Sequence, residues 1–196
     1  MDYKSYNFDM YNKYTPFGIA DAIERLNKNK KALTVACVGS DLVLGDSLGP
    51  IIGTFIEERC KSNYVYGTLK NPITAKDVDY LSLYLKKIHY NSIILSIDAA
   101  VGEKSDVGTI KVINHGLKPG LGVNKNLLAI GDISIMGVVA EKSIKNNNLF
   151  NATRLGFVYK MAKVISTGLE LYLNNNSNCQ LNKGLAGVVY ETYNLF

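Results

Sequence analysis

The sequence contains few of the side chains that build metal centres, disulfide frameworks or nucleophilic triads. Among its 196 residues there are three cysteines, two histidines and no tryptophan. The cysteines Cys37, Cys60 and Cys179 are far apart and form no C-x-x-C pair or Cys/His cluster, which argues against a zinc site or a disulfide framework. A Ser-His-Asp triad finds no support in the sequence either.

Long apolar runs and a large excess of one charge are also missing. No stretch approaches the roughly 20 apolar residues that cross a bilayer, and the polar, aromatic N-terminus does not resemble a signal peptide. The net charge of +5 comes from 22 basic and 17 acidic residues, and KNKK at 28–31 is the one dense basic cluster. We therefore expect a cytoplasmic protein that binds neither membranes nor nucleic acid.

The sequence does contain short apolar runs that alternate with amphipathic segments. Apolar runs rich in β-branched residues predict strands at 32–38, 63–69, 92–98, 106–113 and within 127–140. Apolar residues at helical spacing predict helices over 16–30, 50–61, 75–89 and 149–175. This alternation indicates a single α/β domain over residues 1–196 with a mostly parallel central sheet. Residues 1–15 lack periodicity and are interpreted as an N-terminal arm.

Two aspartates lie where strands of the predicted sheet end. Asp46 is in the loop GSDLVLGDSLGP that follows the strand at 32–38, and Asp98 ends the strand at 92–98. Sites in open parallel sheets form outside the carboxyl ends of the strands, so the two carboxylates share one crevice if these strands are neighbours. Such a pair can share a proton and activate water, or hold a divalent metal. Asp46 can instead cap the helix that follows it.

Three motifs in fixed order resemble a known family. CVGSDLVLGDSLGPIIG over 37–53 is followed by SIDAAVG over 96–102, and then by GLKPGLGVNK and AIGD within 116–132. This set resembles the YyaC-type sporulation proteins, relatives of the germination protease that degrades small acid-soluble spore proteins. It is similar in layout to the hydrogenase maturation proteases. The resemblance implies a three-layer α/β/α sandwich of the phosphorylase/hydrolase-like kind, with Asp46 and Asp98 as catalytic aspartates.

The activity that this resemblance implies is hydrolysis of peptide bonds in a protein substrate, without a cofactor. Asp46 and Asp98 would bind a water between them, one ionised to activate it and the other protonated to assist the scissile group. Backbone N–H donors for the oxyanion are expected from Gly45, Gly120 and Gly122, and Lys125 is expected to add a positive charge nearby. The resemblance also implies small acid-soluble spore proteins as partners and the forespore or mother-cell cytoplasm as location, and it leaves a homo-oligomer open.

Two alternatives use the same crevice differently. In the first, the chain keeps the protease fold but docks a sporulation partner without cleaving it, because histidine positions of the related proteases are lost. In the second, Mg²⁺, Mn²⁺ or Ca²⁺ binds to hard oxygen ligands drawn from Asp41, Asp46, Asp98 and Asp132. Asp41 is instead a turn-forming residue if it accepts hydrogen bonds from backbone N–H groups of its own loop.

Overall fold

Six strands form one sheet in the part of the chain that the computed structural model describes, residues 3–61, 63–118, 128–142 and 153–176. They are β1 (Ser5–Asp9), β2 (Leu33–Cys37), β3 (Tyr64–Tyr66), β4 (Ile93–Gly102), β5 (Thr109–Ile113) and β6 (Ile133–Glu141). Their spatial order is β1-β5-β6-β4-β2-β3. Strands β3, β2, β4 and β6 are parallel, and only β5 runs antiparallel to its two neighbours. The predicted, mostly parallel sheet is confirmed.

Helices cover both faces of this sheet. Those within the described residues are α1 (Thr15–Leu26), α2 (Leu48–Arg59), α3 (Val78–Ile88) and α4 (Leu155–Asn176). Helices α1, α2 and α4 share one hydrophobic cluster with one face of the sheet, and α3 builds a second cluster on the other face. This arrangement confirms the three-layer α/β/α sandwich. None of the described helices is both long and apolar enough to cross a membrane.

Burial on both faces explains why β2 is apolar at every position except Thr34. All five of its residues are buried, with Val35 and Cys37 in the α1/α2/α4 cluster and Ala36 in the α3 cluster. Successive side chains of a strand point to opposite faces, so a central strand in a three-layer fold favours apolar residues on both faces. The same reasoning applies to the first half of β4, where Ile94 to Ile97 are all buried.

The N-terminus departs from the prediction of an arm. Ser5–Asp9 forms β1, an edge strand paired antiparallel with β5. The ring of Phe8 lies against Gly18 of α1, where a Cβ would collide with it. Only one face of this strand packs on the domain, so the segment carries too few apolar residues to look like a buried strand in the sequence.

Candidate active site

The loop after β2 folds back onto the end of that strand. The backbone N–H of Ser40 donates to the carbonyl oxygen of Asp46 at 3.1 Å. A Cβ at Gly39, whose φ is +144°, would overlap that same carbonyl oxygen, and a Cβ at Gly49 would overlap the carbonyl oxygen of Val38. Glycine at both positions therefore allows backbone-to-backbone contact that any side chain would prevent. This contact fixes Asp46 above the carboxyl end of β2.

Asp46 itself lies in a short 3₁₀ turn, Gly45–Ser47, that leads into α2. The N-cap of α2 is Ser47, and no side chain forms a cap hydrogen bond there. The capping role that the sequence left open for Asp46 is therefore not used. Its half-buried carboxyl group is available for chemistry.

Asp98 comes from the neighbouring strand. Strands β2 and β4 are adjacent and parallel, with Cys37 opposite Ile97, so the predicted neighbourhood is confirmed. Alternation along β4 puts the half-buried Asp98 on the same face as Ile94, the face that α3 covers. Asp98 Oδ1 accepts a hydrogen bond of 2.8 Å from the backbone N–H of Ala99.

Both carboxyl groups are harder to ionise than a free aspartate. The pKa of Asp98 is raised well above its usual value, first by burial and then by the negative charge of Asp46, while the N–H of Ala99 opposes the shift. The pKa of Asp46 is also raised by burial, and the N–H of Ser40 opposes that shift. Both shifts favour the protonated carboxyl group, and the shift is the larger at Asp98.

Positive charge is scarce around this pair. Within the described residues, no lysine or arginine lowers the pKa of either aspartate. Lys125, Gly120 and Gly122 lie outside the described residues, so their expected substrate-binding roles stay predictions. Gly45 is buried in the 3₁₀ turn beside Asp46, which is compatible with its predicted role.

The structure does not assemble the predicted set of four metal-binding carboxylates. Asp132 Oδ2 accepts a hydrogen bond of 2.9 Å from the backbone N–H of Ile94. Ile94 is four residues before Asp98 in an extended strand, so the two residues are about 13 Å apart. Asp41 is exposed. In its loop the backbone N–H of Leu42 donates to Ser40 Oγ at 3.2 Å, so Ser40 and not Asp41 accepts this hydrogen bond. No group of three or more Asp, Glu, His or Cys side chains in the described ranges could hold a metal ion.

An open groove of about 800 Å³ lies at the opposite, amino end of the parallel strands. Its basic, histidine and acidic lining residues are Lys4, Arg25, Lys28, Lys31, Lys86, His89, His115 and Asp132. His89 is buried and its Nε2 is 2.8 Å from Tyr66 Oη. Neither histidine therefore lies beside Asp98, and the groove is separate from the aspartate pair.

Two features of the site were missed at the level of the sequence. Strand β4 continues four residues past Asp98, to Gly102, whereas the prediction ended it at Asp98. The Ala-Ala-Val run that follows Asp98 is the signal that could have indicated the longer strand. The carbonyl oxygen of Ile73 also accepts a 2.8 Å hydrogen bond from the N–H of Gly39, a long-range contact with no local sequence signal.

Comparison with known proteins places these motifs in one family. The family model described as "Protein of unknown function (DUF1256)" matches residues 8–168, which include Asp46 and Asp98. The chain is also 35% identical, over 142 residues, to the "Uncharacterized protein YyaC" of Bacillus subtilis (strain 168), an alignment that covers 72% of this chain and 69% of that protein. The chain therefore belongs to the DUF1256 family of YyaC-type proteins, which confirms the resemblance to the YyaC-type proteins; the relationship to the proteases stays a prediction.

Proposed function

We propose that this protein is a peptidase that hydrolyses peptide bonds in a protein substrate through Asp46 and Asp98. The observation that carries the proposal is the placement of Asp46, in the turn after β2, and Asp98, in the adjacent parallel strand β4, at the same end of the sheet. Burial and the charge of Asp46 there raise the pKa of Asp98 well above its usual range. Paired acids with displaced pKa values in a crevice are typical of general acid–base sites. The carboxyl end of parallel strands is also where α/β proteins place their sites.

The proposed reaction divides the work between the two acids. Ionised Asp46 takes a proton from a bound water, whose oxygen attacks the carbonyl carbon of the scissile peptide bond. Asp98 donates its proton to the carbonyl oxygen as the tetrahedral intermediate forms and recovers it as the intermediate collapses. Asp46 then passes its proton to the leaving nitrogen as the C–N bond breaks, so both acids return to their starting states.

The biological setting of the proposal rests on the motif resemblance. The resemblance to relatives of the germination protease supports small acid-soluble spore proteins as the substrate to test first. The YyaC protein of Bacillus subtilis is described only as uncharacterized, so its name supports no particular substrate or reaction. A role in sporulation is therefore part of the proposal.

The test is cleavage of small acid-soluble spore proteins, followed by mass spectrometry of the products. We expect defined fragments from the unaltered protein, also in the presence of a chelator. Asp46→Asn and Asp98→Asn should each reduce the rate by about 10³-fold because each removes one proton-transfer group. Circular dichroism of both variants shows whether they remain folded. Unchanged turnover by both variants would contradict the mechanism.

A second candidate is a binding protein that uses the crevice without catalysis. The observation that favours it is the surroundings of the pair, where no described cation supports an oxyanion and both histidines lie elsewhere. A stable complex with small acid-soluble spore proteins, with no fragments from the unaltered protein, would support this candidate over the peptidase.

A further inference from the structure

Strand β4 extends beyond the end of its neighbour β2. The last paired residue of β2, Cys37, lies opposite Ile97. The N–H of Val38 then donates to the carbonyl oxygen of Ile97 at 2.8 Å, and the N–H of Gly39 turns away toward Ile73. Residues 99–102 of β4 are therefore paired with β6 on one side, and no described strand occupies the other side.

The backbone groups that face this open side follow from the alternation of the strand. The pairing of β4 with β6 has a register shift between Ala100 and Val101, at which β6 carries one extra residue, Val139. The carbonyl oxygen of Ile97, before the shift, accepts from Val38 on the β2 side, and that of Gly102, after it, accepts from Lys142 on the β6 side. Odd-numbered residues of β4 therefore face the β2 side and even-numbered residues face β6 throughout. The odd-numbered Ala99 and Val101 consequently point their N–H and C=O groups toward the open side. The N–H of Ala99 is taken by Asp98 Oδ1, which leaves the carbonyl oxygen of Ala99 and both backbone groups of Val101.

This edge begins at the candidate catalytic pair. Asp98 immediately precedes it, and Asp46 is close enough for its charge to act on Asp98. The loop that carries Asp46 exposes Leu42 and Leu44, whose relative exposures are 88% and 41%. A strand edge whose hydrogen-bonding groups have no partner among the described residues, with apolar side chains beside it, matches the backbone and side chains of an extended polypeptide.

We propose that residues 99–102 dock an extended polypeptide segment as an added strand, in the position that β2 would occupy if it were longer. The inference rests on the proposed function, because the docked segment is taken to be the substrate of the two aspartates. The added segment exchanges hydrogen bonds with Val101 and donates one to the carbonyl oxygen of Ala99. Its peptide bond next to Ala99 then lies beside Asp98 and Asp46. The substrate class is an unfolded or locally extended chain, since a helix has no free backbone groups at this spacing.

The first arm of the test removes one hydrogen-bond donor from the edge. Val101→Pro deletes the N–H that faces the open side and leaves the β4–β6 hydrogen bonds of the even-numbered residues in place. Val101→Ala is the matched control, since it shortens the side chain and keeps the N–H. Both are made in an Asp98→Asn background to prevent cleavage, with fluorescent, reduced and carboxymethylated lactalbumin as an unfolded probe. We expect the proline variant to bind about tenfold more weakly than the alanine control, the loss of one hydrogen bond.

The second arm needs no change in the edge, so it holds even if the proline variant does not fold. Hydrogen exchange of the Asp98→Asn protein should slow over residues 99–102 when the probe is added. The control is Ser5–Asp9, the strand at the far edge of the sheet, which should show no change. Absence of probe binding, or binding without protection of 99–102, would overturn the docking edge, as would equal binding by folded proline and alanine variants.

The outcomes also separate this inference from the peptidase proposal. Protection of residues 99–102 by the probe, together with no cleavage of any tested protein by the unaltered chain, would keep the docking edge and reject the peptidase. Cleavage that depends on both aspartates, without protection of residues 99–102, would keep the peptidase and reject the docking edge.

Discussion

The two ends of the parallel strands carry opposite kinds of charge. At the carboxyl end, Asp46 and Asp98 are half-buried and no described cation compensates them. At the amino end, five lysine and arginine side chains line an open groove. Arg25 and Lys86 lie in the last turns of α1 and α3, and Lys28 and Lys31 follow α1. Basic residues at helix C-termini are favoured by the helix dipole and need no ligand to explain them. Desolvation of charge therefore distinguishes a candidate site better than the size of an opening.

Two acids on the same pair of strands make the contrast concrete. Asp98 is inside β4 at the carboxyl end, where burial and a second acid raise its pKa. Asp132, directly before β6, is exposed and its Oδ2 accepts the N–H of Ile94 at the start of β4. The Asp98 carboxyl is costly to ionise and is suited to proton transfer. The Asp132 carboxyl instead satisfies a backbone donor at the amino end of two central strands.

The largest expected effect is the difference in catalysis between these two acids. Asp98→Asn should lower the cleavage rate about 10³-fold, whereas Asp132→Asn should leave it within about twofold, because only Asp98 exchanges protons with the reacting groups. Single-turnover rates on small acid-soluble spore proteins measure this. Equal losses of cleavage rate in the two variants would contradict the assigned difference between the carboxyl and amino ends of the parallel strands.

The next effect is on the backbone contact that holds Asp46. Gly49→Ala should lower the free energy of unfolding by about 3 kcal/mol, because the new Cβ overlaps the carbonyl oxygen of Val38. Gly156→Ala is the control, since nothing lies within 4 Å of a Cβ at that position of α4. It should stabilise the protein by about 0.5 kcal/mol. Urea denaturation of both variants measures the difference, and equal changes would contradict the contact.

The pH dependence of stability should reflect the raised pKa of Asp98. A carboxyl whose pKa is higher in the folded than in the unfolded chain stabilises the fold at low pH. That contribution is lost as pH rises from about 4 through the folded pKa, at up to about 1.4 kcal/mol per pH unit. Asp98→Asn should therefore gain stability relative to the unaltered protein across this window. Urea midpoints across this pH range measure the difference, and a decline in Asp98→Asn parallel to that of the unaltered protein would contradict the assigned burial.

The smallest expected effect is at the basic groove. Lys86→Gln removes an exposed charge in the last turn of α3, so the free energy of unfolding should change by less than about 0.5 kcal/mol. Cleavage should stay unchanged. Thermal unfolding and the same cleavage assay measure both, and a large loss of activity would show that the amino end takes part in the function.

The sequence predicted the layers, the parallel sheet and the neighbouring strands that carry Asp46 and Asp98. Those features follow from local apolar patterns and from the position of a loop after its strand. Asp132 was grouped with them because it is the acid of the AIGD motif in the family resemblance. It directly precedes β6, however, and an acid before a parallel strand lies at the opposite end from one after it. The raised pKa of Asp98 depends on burial by distant segments, which no local pattern encodes.

The pairing of β1 with β5 has a consequence for how the protein tolerates truncation. Without Ser5–Asp9, β5 would become the outermost strand, with its N–H and C=O groups unpaired. β5 is more apolar than β1, and Ile110, Val112 and Ile113 are buried. An exposed apolar strand of this kind recruits strands from other molecules. Ser5–Asp9 thus covers a strand edge that would otherwise be open to pairing with other molecules.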